Sequence, residues 1–246
     1  MSYRREHLAE LDLTLWRLRE EGEAESAGGE APPVQVPSRR EAVRVSQIVE
    51  EAPPAESDDA RARRIARMGW EDLEAFVRGQ SRSGATQAVF GVGARQADLM
   101  VIGEAPGADE DRQGEPFVGR AGQLLDQMLR AIDHSRSRNT YIANICKFRP
   151  PNNRDPRPEE VAEDLPYLKR QIELVAPRVL LAVGRVAAQN LLGTEDAIGR
   201  MRGKPWHYQG CPVVVSYHPA YLLRSPREKA KAWQDLKRVR SLLLAA

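Results

Sequence analysis

Cysteine is the rarest residue of chemical consequence in this chain: Cys146 and Cys211 are the only two among 246 residues. Two thiols without a C-x-x-C spacing exclude a disulfide framework and fit a reducing compartment, and each is expected as a small buried apolar residue. Long apolar runs are also missing. Nothing approaches the roughly 18 residues that span a bilayer, and the start MSYRREHLAE lacks the apolar stretch of a signal peptide, so the expected setting is cytoplasmic. Nor is there an excess of charge of one sign. With 37 basic against 35 acidic residues the net +2 decides nothing about nucleic acid, and only a local concentration of charge could. The length suits one α/β domain plus a tail.

What is present falls into three parts. Residues 1–20 carry Leu8, Leu11, Leu15, Trp16 and Leu18, spaced for one apolar helical stripe. Such a segment either folds back on the main domain or docks into a partner's groove, and it is read as an amphipathic docking peptide. Residues 21–64, with GEAESAGGEAPP and EEAPPAESDDARARR, hold too little apolar surface to offset ordering entropy and are expected as a flexible linker. Residues 65–246 read as the folded domain.

In that domain DLMVIG (98–103), TYIANI (140–145), RVLLAVG (178–184) and PVVVSYH (212–218) are short apolar runs of the kind found in buried parallel strands. Helical stretches at 119–132, 158–175, 185–192 and 226–244 alternate with them. The alternation predicts a three-layer α/β/α sandwich around a central, mostly parallel four-stranded sheet. Ligands in such folds bind beyond the carboxyl ends of the strands, so the residues standing there matter most.

They are Glu104 and Ala105 in GEAPG after the first strand, Asn144 at the end of the second, and His218 after the fourth, with Phe117 in the loop GEAPGADEDRQGEPFVG. That loop is glycine-rich but lacks the Lys and Thr of a P-loop, and its carboxylates would repel phosphate. A carboxylate, an aromatic, an amide and an imidazole together suit a flat heteroaromatic ligand. Phe stacks on its face, Asn pairs with its edge, and His donates to an oxygen that gains charge. Further on, seven basic residues against two acidic between Arg224 and Arg240 form a local charge excess, which serves DNA phosphates or simply solvates a helix face.

The segments GEAPGADEDRQGEPFVGRAGQLLD, YIANICKFRPPNNRDPRPEE and HPAYLLRSP resemble the signature segments of family 4 uracil-DNA glycosylases. The resemblance implies hydrolysis of the glycosidic bond of deoxyuridine in DNA, as in base excision repair. It assigns Glu104, Asp111 and His218 to catalysis and Ala105, Phe117 and Asn144 to uracil binding. DNA also needs phosphate contacts, which the positions of Arg149 and Arg154 beside Asn144 and of Arg224 after HPAYLL suit, while Leu222 has a wedge role or a core role. Family 4 enzymes hold a four-iron four-sulfur cluster on four cysteines. Aligned on their neighbours, those positions are Phe76, Gly79, Phe148 and Asp164 here, so the expectation is an enzyme with no metal and no cofactor.

SYRREHLAELDLTLWRLRE is similar to the start of the psi subunit of the DNA polymerase III clamp loader. That likeness implies docking to the clamp loader through Leu8, Leu11, Trp16 and Leu18, and a tether to the replisome. It also leaves open a different reading, a non-catalytic psi-like adaptor on a glycosylase fold. The four pocket residues favour the enzyme, since an adaptor needs none of them.

Overall fold

The structure, a computed structural model, describes residues 57–245, so the docking peptide with Leu8, Leu11, Trp16 and Leu18 and most of the linker lie outside the described residues. Six strands make one sheet: β1 (Val92–Gly93), β2 (Leu99–Gly103), β3 (Thr140–Asn144), β4 (Val179–Val183), β5 (Trp206–Tyr208) and β6 (Cys211–Ser216). Their order is β1-β3-β2-β4-β6-β5. The central four are the expected parallel strands, while β1 and β5 are antiparallel additions at the two edges, which corrects the four-stranded expectation. Strands of two and three residues are too short to show an alternating pattern in sequence.

Nine α-helices are described. They are α1 (Asp58–Ile65), α2 (Trp70–Arg78), α3 (Ala108–Gln113), α4 (Arg120–Arg130), α5 (Pro158–Val175), α6 (Arg185–Leu192), α7 (Ile198–Met201), α8 (Pro219–Arg224) and α9 (Lys229–Ala245). Helix α1 corrects the linker boundary, because the folded region already begins near residue 58. Arg61 donates to the Glu163 carbonyl and the Tyr167 hydroxyl at 3.0 and 2.5 Å, and Ile65 is buried beside Leu73, Val77, Phe148 and Tyr167.

Alternation along the strands sorts the core into two layers. Met100, Ile102, Ala143, Leu180 and Val215 face α5 and α6, whereas Leu99, Val101, Ile142, Leu181 and Val214 face α4 and α9. Both faces of the sheet are covered, hence the near-continuous apolar runs. The chain steps outward from β2 to β3, then returns past β2 to β4 and β6. That reversal opens a crevice at the carboxyl ends of the strands.

Candidate active site

The residues that end the parallel strands meet in a cleft of about 540 Å³. Glu104 follows β2, Asn144 closes β3 and His218 lies two residues past β6, and all three line the cleft with Ala105 and Phe117. The sheet register sets Gly103 beside Asn144, so the carboxylate and the amide emerge from adjacent strand ends.

Phe117 reaches its place through strained backbone: its φ is 56°, in the left-handed region that a bulky residue rarely adopts. Two features hold it there. Arg136 donates to the carbonyls of Pro116 and Phe117 at 3.2 and 2.9 Å while its Nε holds Asp126 at 2.9 Å. Gly122 supplies the second, since a Cβ there would stand 1.6 Å from the Phe117 carbonyl oxygen. Gly103 clears the floor in the same way: a Cβ would meet Asn144 Oδ1 at 2.3 Å and the Phe117 ring at 2.7 Å. The Phe117 ring lies nearly parallel to the His218 imidazole, 28° apart with centroids at 5.4 Å.

His218 caps α8, and its Nδ1 accepts the Ala220 N–H at 3.1 Å. An accepting Nδ1 carries no proton, so the neutral ring keeps its hydrogen on Nε2 and can donate from there. Burial, with Arg224 adding to it, brings His218 down to about 4, and the ring is therefore neutral at physiological pH. Glu104 shifts the opposite way. Burial and the nearby Asp155 push its carboxyl up to about 7, against the pull of Arg185. Asn144 is 2% exposed, and its buried Oδ1 has no hydrogen-bond partner among the described residues. A buried amide oxygen left open costs stability unless a ligand supplies the donor.

The rim is cationic and aromatic. Arg154 is gripped by both Glu160 oxygens at 2.7 and 2.6 Å, which holds that carboxyl down to about 2, and its guanidinium lines the cleft together with Arg224. Arg149 stands one contact back, donating to Asn153 Oδ1 at 2.7 Å, and Asn153 itself lines the cleft. Exposed Tyr221 also lines it, its ring leaning on Tyr217 at 5.1 Å. Of the basic run after Arg224, Lys231, Arg238 and Arg240 are engaged with Glu228, the Gly203 carbonyl and Asp133, so part of that run is structural.

Two expected site residues are elsewhere. Asp111 is 3% exposed and does not line the cleft. Its carboxylate accepts the N–H groups of Thr86 and Gln87 at 2.8 and 3.3 Å, pinning the segment before β1 rather than a water molecule. Leu222 is 1% exposed and packs in the layer with Leu125, Met128 and Leu236, which leaves it the core role and removes the wedge. Sequence reasoning in turn missed Arg136, Gly122 and Tyr221. Tyr221 carried a signal, as the one large aromatic in the turn after His218.

The positions at which the resemblance implies cluster ligands do not fit such a group. Phe76 and Phe148 pack with α1 and α2, and Gly79 ends α2. Asp164 is wholly buried and taken up by Arg82, at 3.0 and 2.9 Å, and by the Lys147 N–H at 2.6 Å. Arg82 in turn lies over the Phe148 ring at 4.6 Å. Cys146 is buried two residues past the end of β3, where burial and then Asp164 push its thiol up to about 12. It is therefore not a thiolate.

Comparison with known proteins places this geometry. Residues 90–237 match the family described as the uracil DNA glycosylase superfamily. A type-4 uracil-DNA glycosylase of Archaeoglobus fulgidus is 43% identical over 165 residues, covering 64% of this chain and 82% of that protein. The enzymes of the same name from Pyrobaculum aerophilum and Thermotoga maritima are 42% and 38% identical, over 61% and 64% of this chain and 80% and 84% of theirs. By the matched span and by these identities, the chain belongs to the uracil DNA glycosylase superfamily.

Proposed function

We propose that this chain hydrolyses the N-glycosidic bond of deoxyuridine in DNA. The observation that carries the reading is the meeting of Phe117, the open Asn144 amide, the Nε2-protonated His218 and Glu104 in one cleft, on a chain related to enzymes of that name.

A base within a duplex is out of reach, so the nucleotide must leave the stack at a cost of a few kcal/mol. The Phe117 face and the Asn144 edge offset that cost. Asn144 Oδ1 accepts N3–H and Nδ2 donates to O4. Cytosine presents the opposite polarity at both atoms and is rejected. As the bond from C1′ to N1 breaks, its electron pair passes into the uracil ring and charge gathers on O2, where the Nε2–H of His218 donates. A neutral donor suits this task, because it gives up no proton and faces a growing negative charge. Water then adds to C1′, and the Glu104 carboxylate, raised towards 7, accepts its proton. Arg154, Arg224 and Arg149 hold phosphates on the rim.

The test is release of uracil from single- and double-stranded oligonucleotides, with His218→Ala and Asn144→Ala as controls. Loss of about 10²–10³ in rate is expected for His218→Ala. Wild-type protein that releases no more uracil than these variants would overturn the reading.

The same reading includes work without an iron-sulfur cluster. It is supported by the absence of thiolate donors at Phe76, Gly79, Phe148 and Asp164 and by the ion pair built there. Iron and sulfide analysis of active protein checks it, and stoichiometric iron would refute it. Docking of residues 1–20 on a clamp loader belongs to the proposal as well, supported only by the likeness of that segment. Deleting the segment should abolish co-purification of clamp-loader subunits and leave turnover intact.

A further inference from the structure

Lys147 is a wholly buried amine that the chemistry above leaves idle. It stands three residues beyond the strand that ends in Asn144. Its Nζ donates to the Asn144 carbonyl at 2.8 Å and to Gln171 Oε1 at 2.6 Å. Gln171 is itself buried and fixed, donating from Nε2 to the Phe90 carbonyl at 2.8 Å and to the Tyr141 hydroxyl at 3.3 Å. From behind, the Lys147 N–H is held by Asp164, which is clamped by both terminal nitrogens of Arg82. Burial pulls the Lys147 amine down to about 7, against Asp164 and Cys146, and in either protonation state it can donate to both oxygens. An apolar side chain of similar length would fill the same space without desolvating an amine, so packing alone does not explain a lysine here.

The position of its target supplies the explanation. Beyond Asn144 the chain leaves the sheet: the Ile145 and Cys146 N–H groups still bond to Gly103 and Glu104, at 2.9 and 3.0 Å, on the β2 side. On the other side Lys147 fixes the Asn144 carbonyl, and with it the peptide plane from which the Asn144 side chain departs. That side chain reaches the cleft with its Oδ1 open, so no hydrogen bond among the described residues orients this oxygen directly.

We propose that Lys147 is a positioning residue for uracil recognition, its Nζ and the Gln171 and Arg82–Asp164 supports behind it aiming the Asn144 amide at the base. The proposal rests on the uracil-excising reading of the cleft. A lysine that merely stabilised the fold would weaken every variant alike. One that aims Asn144 matters only while Asn144 is there.

A double-mutant cycle tests this on full-length protein: Lys147→Met and Asn144→Ala, singly and together, read by single-turnover excision and by inhibition with free uracil. Lys147→Met should weaken inhibition by free uracil about tenfold and raise KM more than it lowers kcat. In the Asn144→Ala background it should change neither measure by more than about twofold. Equal losses in both backgrounds, or unchanged uracil inhibition, would overturn the proposal. Should Lys147→Met fail to fold by circular dichroism, Gln171→Leu, which keeps the lysine but removes its second anchor, takes its place in the cycle with the same expectations. A wild-type protein that neither excises uracil nor is inhibited by it fails the underlying reading instead. Active wild type with an additive cycle fails this inference alone.

Discussion

The two titrating side chains of the cleft are displaced from their ordinary values by the same cause with opposite results. Burial raises Glu104 to about 7 and lowers His218 to about 4. Glu104 accepts a proton only when ionised, so single-turnover excision should climb about tenfold per pH unit below 7 and level off above it. His218 contributes no second limb between pH 5 and 9, because it is neutral throughout. A flat profile over that range would remove Glu104 as the base. Stability carries the same signature. A carboxyl raised from its usual 4.5 contributes stability that is present below that value and lost as pH passes 7, so Glu104→Gln should raise Tm at pH 8 and scarcely at pH 5. At this scale the sequence was legible where a residue stands within two positions of a strand end, as Glu104 and His218 do. It was not legible for Asp111, because Glu110 and Asp111 are separated by one 100° step around α3. Only the packing of that helix decides that Glu110 lines the cleft and Asp111 turns inward to the backbone of Thr86 and Gln87.

The elements that matter most to the site are those that aim loops. The turn carrying Phe117 is kept in its left-handed conformation by Arg136, and two charged hydrogen bonds to carbonyls are lost in Arg136→Ala. We expect about 2 kcal/mol of lost stability in urea titrations, and a larger loss in KM for uracil-containing DNA than in kcat. Gly122→Ala should be worse, since no side-chain shift relieves a Cβ placed 1.6 Å from a backbone oxygen. Arg136 was hidden from the sequence because its partners lie 10 to 20 residues away in a loop without period. Helix α1 was hidden for another reason. DDARARRI has the composition of a solvated tether, and it is Ile65, the reach of Arg61 to Glu163 and Tyr167, and Arg64 over the Phe76 ring that make it part of the domain. Ile65→Ala should cost about 2–3 kcal/mol, measured by thermal or urea unfolding, whereas a true linker position would cost nothing.

Across the whole molecule, the parallel four-strand centre was legible because buried strands write themselves as apolar runs. The edge strands β1 and β5 were not, being too short to write an apolar run of their own. One corner, where α2, α5 and the end of β3 converge, carries the Arg82–Asp164 pair under the Phe148 ring. Arg82→Ala strands the buried Asp164 carboxylate without a cation and should cost about 3–5 kcal/mol in unfolding experiments, whereas Asp164→Ala leaves Arg82 its pairing with Glu163 at 2.7 Å and should cost less. This corner is closed by groups that arrive with the translated chain. The protein should therefore recover full activity when diluted out of urea into air-saturated buffer, and should withstand peroxide and chelators during storage. On the cluster-free reading proposed above, folding alone would complete the protein, and uracil release under oxygen should rise in proportion to the amount of chain.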